Sequence, residues 1–201
     1  MQRLSQENKN SPEIFNQIFW EKSPDWFDRK RYKALLRYWK EGRLIDMGCL
    51  WSEVCLRALY AQPDAIVWGL DQANEAIEAL QKKYPEINYV IGDVYDTGFP
   101  DESFDYAVMG ELIEHLEEPT RAIKEAYRIL KKGGVLALST PLEEANEIGA
   151  VDKENHIWSY SKEDIKDLLK DFQKVEIKIL GSQYFPIYKY AWKTIVAYGF
   201  K

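Results

Sequence analysis

The stretch Leu44-Ile45-Asp46-Met47-Gly48-Cys49-Leu50-Trp51-Ser52 decides how this chain is read. Apolar residues around one acid, closed by a glycine, describe a buried strand that stops in a tight turn. Apolar residues at helical spacing follow from Ser52 to Ala61. A strand, a turn of bare backbone and a helix form the ligand-presenting unit of an open parallel sheet. This turn carries one glycine where such turns usually carry two or three.

Outward from that unit the alternation repeats. Strand one is Arg43 to Met47. Strand two is Ala65 to Leu70, closed by Asp71, and a helix follows from about Ala73 to Lys83. Strand three, Ile87 to Ile91, ends in Gly92-Asp93. Strand four, Phe104 to Met109, ends in Gly110-Glu111. A helix over Pro119 to Leu130 then meets Lys131-Lys132-Gly133-Gly134, read as a glycine stop, before strand five at Val135 to Ser139. Strands alternating with helices of this length imply right-handed crossovers and a parallel sheet covered on both faces.

Both flanks depart from this rhythm. Ser11-Pro12 and Ser23-Pro24-Asp25 are helix starts, Ser serving as N-cap and Pro opening the helix, and each is followed by aromatic residues at helical spacing. These helices, ending near Gly42, either cover a sheet edge or close over a cofactor pocket. Residues 1–10 read as frayed. After Pro141, Leu142 to Asn155 is polar and loop-like, long enough for a functional insertion. Ser161 with Asp164 forms a capping box that opens a helix to Phe172. Val175 to Leu180 and Tyr188 to Tyr198 read as an antiparallel hairpin. The expectation is an α/β, Rossmann-like, doubly wound, mostly parallel seven-stranded sheet. It comprises one domain over 1–201, with a helical cap at 1–42 and the core at 43–201.

Composition narrows the classes. The 201 residues are 46% hydrophobic and 30% charged, ordinary for a globular domain with a substantial core. No apolar run reaches the roughly 20 residues of a membrane-spanning helix, and the first ten residues hold no apolar signal core. Cys49 and Cys55 lie on one turn-helix unit as buried thiols, so a cytoplasmic location is expected. A net charge of −6 with no dominant basic stripe disfavours nucleic acid. Arg29-Lys30-Arg31 with Lys33 and Arg37 reads as a solvated helix face. Trp26, Tyr32, Trp158, Tyr160 and Tyr184 are candidate pocket walls.

The chemistry gathers at the carboxyl edge of the sheet, where doubly wound folds bind ligands. An acid directly after strand two, Asp71, can accept both hydroxyls of a ribose. Asp93 after strand three can take an adenine amino proton while Val94 flanks the ring. With Asp46, Gly48 and Gly110-Glu111 on the same edge, the constellation suits a nucleoside-bearing cofactor. A second constellation is Glu111-x-x-Glu114-His115. A helix beginning after strand four would put both carboxylates and the imidazole on one face, and sheet order brings His156 beside them. Two carboxylates with imidazoles suit Mg²⁺ or another divalent cation.

These motifs resemble class I S-adenosylmethionine-dependent methyltransferases of the small-molecule type from Arg43 onward. The matching stretches are 44–49, 67–71, 91–94, 104–116 and 130–141. The resemblance implies cofactor contacts at Asp46, Met47, Gly48, Cys49, Leu50, Ser52, Asp71, Gln72, Asp93, Val94, Gly110 and Glu111. The Glu111, Glu114, His115 and His156 pattern resembles metal-dependent O-methyltransferases, one group acting on catechol-like rings and another on the 2′-hydroxyl of small RNAs. That likeness gives these four residues catalytic and metal-binding roles and implies a small-molecule acceptor methylated on oxygen. The alternatives are a metal-dependent RNA 2′-O-methyltransferase and a non-catalytic binding module. The chain departs from the family pattern at Leu50 and Ser52, where glycines are usual. Either the turn is reshaped with Leu50 pointing away, or cofactor binding is weakened.

Overall fold

The computed structural model describes residues 1–3, 10–21, 26–51, 53–142, 156–181 and 193–201. Ser52, the turn after Ser23, most of the loop after Leu142 and the turn carrying Tyr184 lie outside them. In chain order the elements are β1 (Gln2–Arg3), α1 (Pro12–Glu21), α2 (Trp26–Leu35), β2 (Arg43–Met47), α3 (Glu53–Ala61), β3 (Ile66–Asp71), α4 (Asn74–Lys83) and β4 (Asn88–Ile91). Then come β5 (Phe104–Gly110), a single 3₁₀ turn (Ile113–His115), α5 (Pro119–Ile129), β6 (Leu130–Pro141), β7 (Trp158–Ser159), α6 (Lys162–Leu168), β8 (Lys174–Gly181) and β9 (Lys193–Phe200).

The main sheet has seven strands in the order β4-β3-β2-β5-β6-β9-β8. The first five run parallel, and β9 pairs antiparallel with both β6 and β8. The order reverses beside β2, which puts the ends of β2 and β5 at the topological switch point. β2 is buried from Leu44 to Met47. Ile45 and Met47 pack into the core shared with α5 and α6, whereas Leu44 packs into the core under α2, α3 and α4. A strand buried on both faces must be apolar at nearly every position. Asp46 is the exception, and the site explains it.

Local signals account for the helices. Pro119 opens α5, which buries Ala122, Ile123, Ala126 and Ile129 along one stripe. The expected capping box of α6 is present: Asp164 N donates to Ser161 Oγ at 3.2 Å, and Ser161 N donates to Asp164 Oδ2 at 2.9 Å. This helix ends at Leu168, short of Phe172.

Three expectations are corrected. Gly133-Gly134 is no helix stop. The chain leaves α5 straight into β6, pairing Leu130 with Phe104, and then slips so that Val135 pairs with Tyr106. Gly133, at φ 79°, lies within this irregularity, and its N–H donates to the Lys201 carbonyl at 2.7 Å. Nor does an α-helix follow β5. Glu111 adopts φ 51° with its N–H held by the Ser139 carbonyl at 2.9 Å, so the chain swings away and completes only the 3₁₀ turn. The frayed start is also partly ordered, since β1 pairs antiparallel with β7.

Candidate functional site

The turn after β2 is built around Gly48. Its φ is 81°, in the left-handed region that L side chains resist. A Cβ there would also come within 2.8 Å of Leu112 Cδ1. The N–H groups of Gly48 and Cys49 both donate to the Leu70 carbonyl, at 2.8 and 3.1 Å, which pins the turn to β3. Leu50 keeps an ordinary backbone, because among the described non-glycine residues only Glu102 and Glu111 have positive φ. Its N–H donates to Asp71 Oδ2 at 3.0 Å, and the residue lines the cavity. Leu50 thus stands in the cavity lining with its backbone N–H tied to Asp71, and the turn accepts a non-glycine residue there without a left-handed backbone.

That cavity, of about 410 Å³, opens at the carboxyl ends of β2, β3, β4 and β5. Asp46, Gly48, Cys49, Leu50, Asp71, Gln72, Asp93, Val94, Gly110 and Glu111 all line it. Met47 does not, because the strand's alternation turns it into the opposite core. Asp46 is buried, and burial together with the neighbouring Asp71 charge pushes its carboxyl up to about 7. Asp71 is also raised by burial, against the pull of the Ala73 and Leu50 N–H groups. Asp93 is exposed, with Oδ1 accepting from Tyr95 N at 2.8 Å. Acids tolerated at such depth point to a function beyond packing.

The other end of the cavity holds the second constellation. Glu114, His115 and His156 offer ligand atoms that all lie within 4.8 Å of one another. Glu111 stands outside this group and pairs through Oε2 with Arg31 NH1 at 3.3 Å. Since only a 3₁₀ turn follows β5, the shared helix face does not exist. The residues meet because Ile157 N donates to the Glu114 carbonyl at 2.8 Å, bringing His156 alongside the turn. Glu114 is buried; its Oε2 accepts from Thr140 Oγ1 at 3.0 Å while its Oε1 has no hydrogen-bond partner. Burial, then the charge of Glu111, hold its carboxyl well above the usual range. An orphaned buried carboxylate oxygen beside two imidazoles is a donor set that fits a divalent cation.

Several placements escaped sequence reasoning. The sequence reads Arg31 as part of a solvated face, yet it lines the cavity and pairs with Glu111. The available signal was its position one turn before Leu35, which is fully buried. Tyr32 lines the cavity as expected. Trp158 and Tyr160 serve as struts instead of walls: Trp158 Nε1 donates to the Leu116 carbonyl at 2.8 Å and Tyr160 Oη to the Ile113 carbonyl at 3.0 Å. Trp26 and Tyr184 fall outside the described side chains. Phe15 and Ile18 of α1 also line the cavity.

Known proteins resemble this chain in the same region. Residues 45–138 match the methyltransferase domain family. The chain is 34% identical over 109 residues to the biotin biosynthesis bifunctional protein BioHC of Teredinibacter turnerae, spanning 48% of this chain and 19% of that protein. It is 30% identical over 120 residues to the chloroplastic 2-methyl-6-phytyl-1,4-hydroquinone methyltransferase 1 of Oryza sativa, spanning 58% and 36% of the two. The chain thus covers well under half of these relatives' length. The fold is shared with a phosphoethanolamine N-methyltransferase of Haemonchus contortus, solved with phosphomonomethylethanolamine and S-adenosylhomocysteine. The TM-score is 0.73 at 16% identity, covering 98% of this chain and 60% of that one. No described helix is long and apolar enough to cross a membrane.

Proposed function

We propose, on the premise that residues 45–138 are a methyltransferase domain, that the chain transfers a methyl group from S-adenosylmethionine to oxygen of a small molecule. The observation that carries this reading is the convergence of Asp46, Gly48, Asp71 and Asp93 on one cavity at the switch point of the sheet. The sulfonium supplies an activated methyl group, so the protein's part is chiefly placement of the acceptor in line. Asp46, buried beside the turn, suits the ammonium of an amino-acid moiety. Asp71, held by two N–H groups, still has lone pairs for a ribose diol. Asp93 lies farther along the edge and suits the adenine amino group. The hydroquinone named for the rice relative supports a phenolic acceptor.

Glu114, His115 and His156 would hold a divalent cation, with Mg²⁺ or Mn²⁺ suited to the mixed oxygen and nitrogen donors. Such an ion acts as a Lewis acid that lowers the pKa of a bound hydroxyl. Glu111, paired with Arg31, stands outside that group, although its charge still acts on Glu114. The net charge of −6 favours a small acceptor over RNA. The test is mass-spectrometric detection of O-methylated product from catechol- and hydroquinone-type phenols with S-adenosylmethionine. Turnover of cofactor with methylation only on carbon or nitrogen contradicts the oxygen assignment.

A further inference from the structure

Helix α4 begins immediately after Asp71 and Gln72, yet its own N-cap residue, Ala73, offers no side-chain cap. The cap comes from another helix. Asn16, in the middle of α1, is buried, and its Oδ1 accepts from the N–H groups of Glu75 at 3.1 Å and Ala76 at 3.3 Å. Its Nδ2 donates to Asn74 Oδ1 at 3.1 Å. One side chain thus satisfies two of the N–H groups that a helix start leaves unpaired. Just before this turn, Ala73 N donates to Asp71 Oδ1 at 2.9 Å and Leu50 N to Asp71 Oδ2, so the capped helix start adjoins the cavity acid in sequence.

The neighbours of Asn16 face the cavity. Phe15 lines it and meets His115 edge-on, with ring centroids 5.8 Å apart, and Ile18 lines it one turn along. Helix α1 therefore reaches the first turn of α4, which follows Asp71 and Gln72 in the chain, through Asn16, and the His115 end of the cavity through Phe15. We propose that Asn16 is a positioning residue, a clasp that docks α1 on α4 and so closes Phe15 and Ile18 over bound cofactor. The inference rests on the cofactor reading above. A ligand filling the cavity packs against Phe15 and Ile18 and stabilises the docked helix, while the Asn16 cap sets how readily α1 releases. Closure of this kind excludes water from the reacting atoms and makes product release depend on the helix.

The test uses the full chain and S-adenosylhomocysteine, the demethylated product. Amide hydrogen exchange across residues 12–21 is compared with and without this ligand, and its dissociation rate is measured for wild type, Asn16→Ala and Asn16→Asp. The clasp predicts ligand-dependent protection of residues 12–21 in wild type. It also predicts dissociation about tenfold faster in Asn16→Ala, with most of the loss restored in Asn16→Asp, which keeps an acceptor oxygen. Wild-type binding without added protection of α1 overturns the clasp alone, whether or not Asn16→Ala folds. An unchanged dissociation rate in folded Asn16→Ala does the same. Absence of binding by wild type overturns the cofactor reading and the clasp together.

Discussion

The backbone N–H of Leu50 donates to the carboxylate of Asp71 at 3.0 Å, joining the turn after β2 to the end of β3. This contact needs a backbone amide and makes no demand for glycine, and Leu50 keeps an ordinary φ. The turn therefore keeps its tie to Asp71 without a glycine at this position. Leu50→Gly is expected to lower stability by about 0.5–1 kcal/mol through backbone entropy while changing cofactor affinity by less than about threefold, under 0.7 kcal/mol. Thermal melts and calorimetry read the two effects separately. A tenfold gain in affinity would show that Leu50 obstructs the site.

Gly48 is the glycine the turn cannot lose. Its φ of 81° and the 2.8 Å approach of Leu112 to an added Cβ make Gly48→Ala costly twice over. The expected loss is about 1–3 kcal/mol of stability, accompanied by at least tenfold weaker cofactor binding. An alanine variant with wild-type melting and affinity would contradict this account of the turn.

Asp46 gives the protein a pH signature without ligand. Its folded carboxyl is raised to about 7, against about 4 in an unfolded chain. The folded state therefore holds the extra proton between those values. Its stabilising contribution is complete below about pH 4 and is lost as pH rises through 7. Asp46→Asn, which mimics the neutral form, should gain on wild type between pH 5 and pH 8 by on the order of 2 kcal/mol. Parallel stability curves across that range would refute the assignment.

For the second constellation, Mn²⁺ in excess is expected to raise the melting temperature of wild type. An ion at 100 times its Kd contributes about 2.7 kcal/mol. Glu114→Gln and His156→Ala should remove the shift, because each withdraws one of the converging ligand atoms. Glu111→Gln should retain it, since Glu111 pairs with Arg31 instead. Equal shifts in all four proteins would place any bound ion elsewhere.

The core sheet was legible because β2 and β3 are apolar strands each followed directly by an amphipathic helix, and because β4, β5 and β6 hold short apolar runs. In addition, β2 to β5 carry acids at or just after their ends that packing alone does not favour. Asp46, Asp71 and Asp93 could be placed on one edge by strand order. What escaped depends on contacts distant in sequence. The extended path at Gly133-Gly134 is set by pairing of Leu130 with Phe104 and of Gly133 with Lys201. The turn after Glu111 is set by Ser139 from the adjacent strand. Arg31 looked like one charge among several, and only the docking of α2 gives it Glu111 as a partner. Asn16 carried no signal, because a cap supplied from another helix leaves the sequence around α4 silent.

The central claim is that the cavity between Asp46, Asp71 and Asp93 holds S-adenosylmethionine. Isothermal titration of the intact chain with S-adenosylmethionine and S-adenosylhomocysteine, alongside Asp71→Ala, tests it directly. The account predicts one site per chain, a Kd in the micromolar range, near −8 kcal/mol, and at least tenfold weaker binding by Asp71→Ala. No heat of binding at millimolar ligand, or identical affinity in Asp71→Ala, would contradict it.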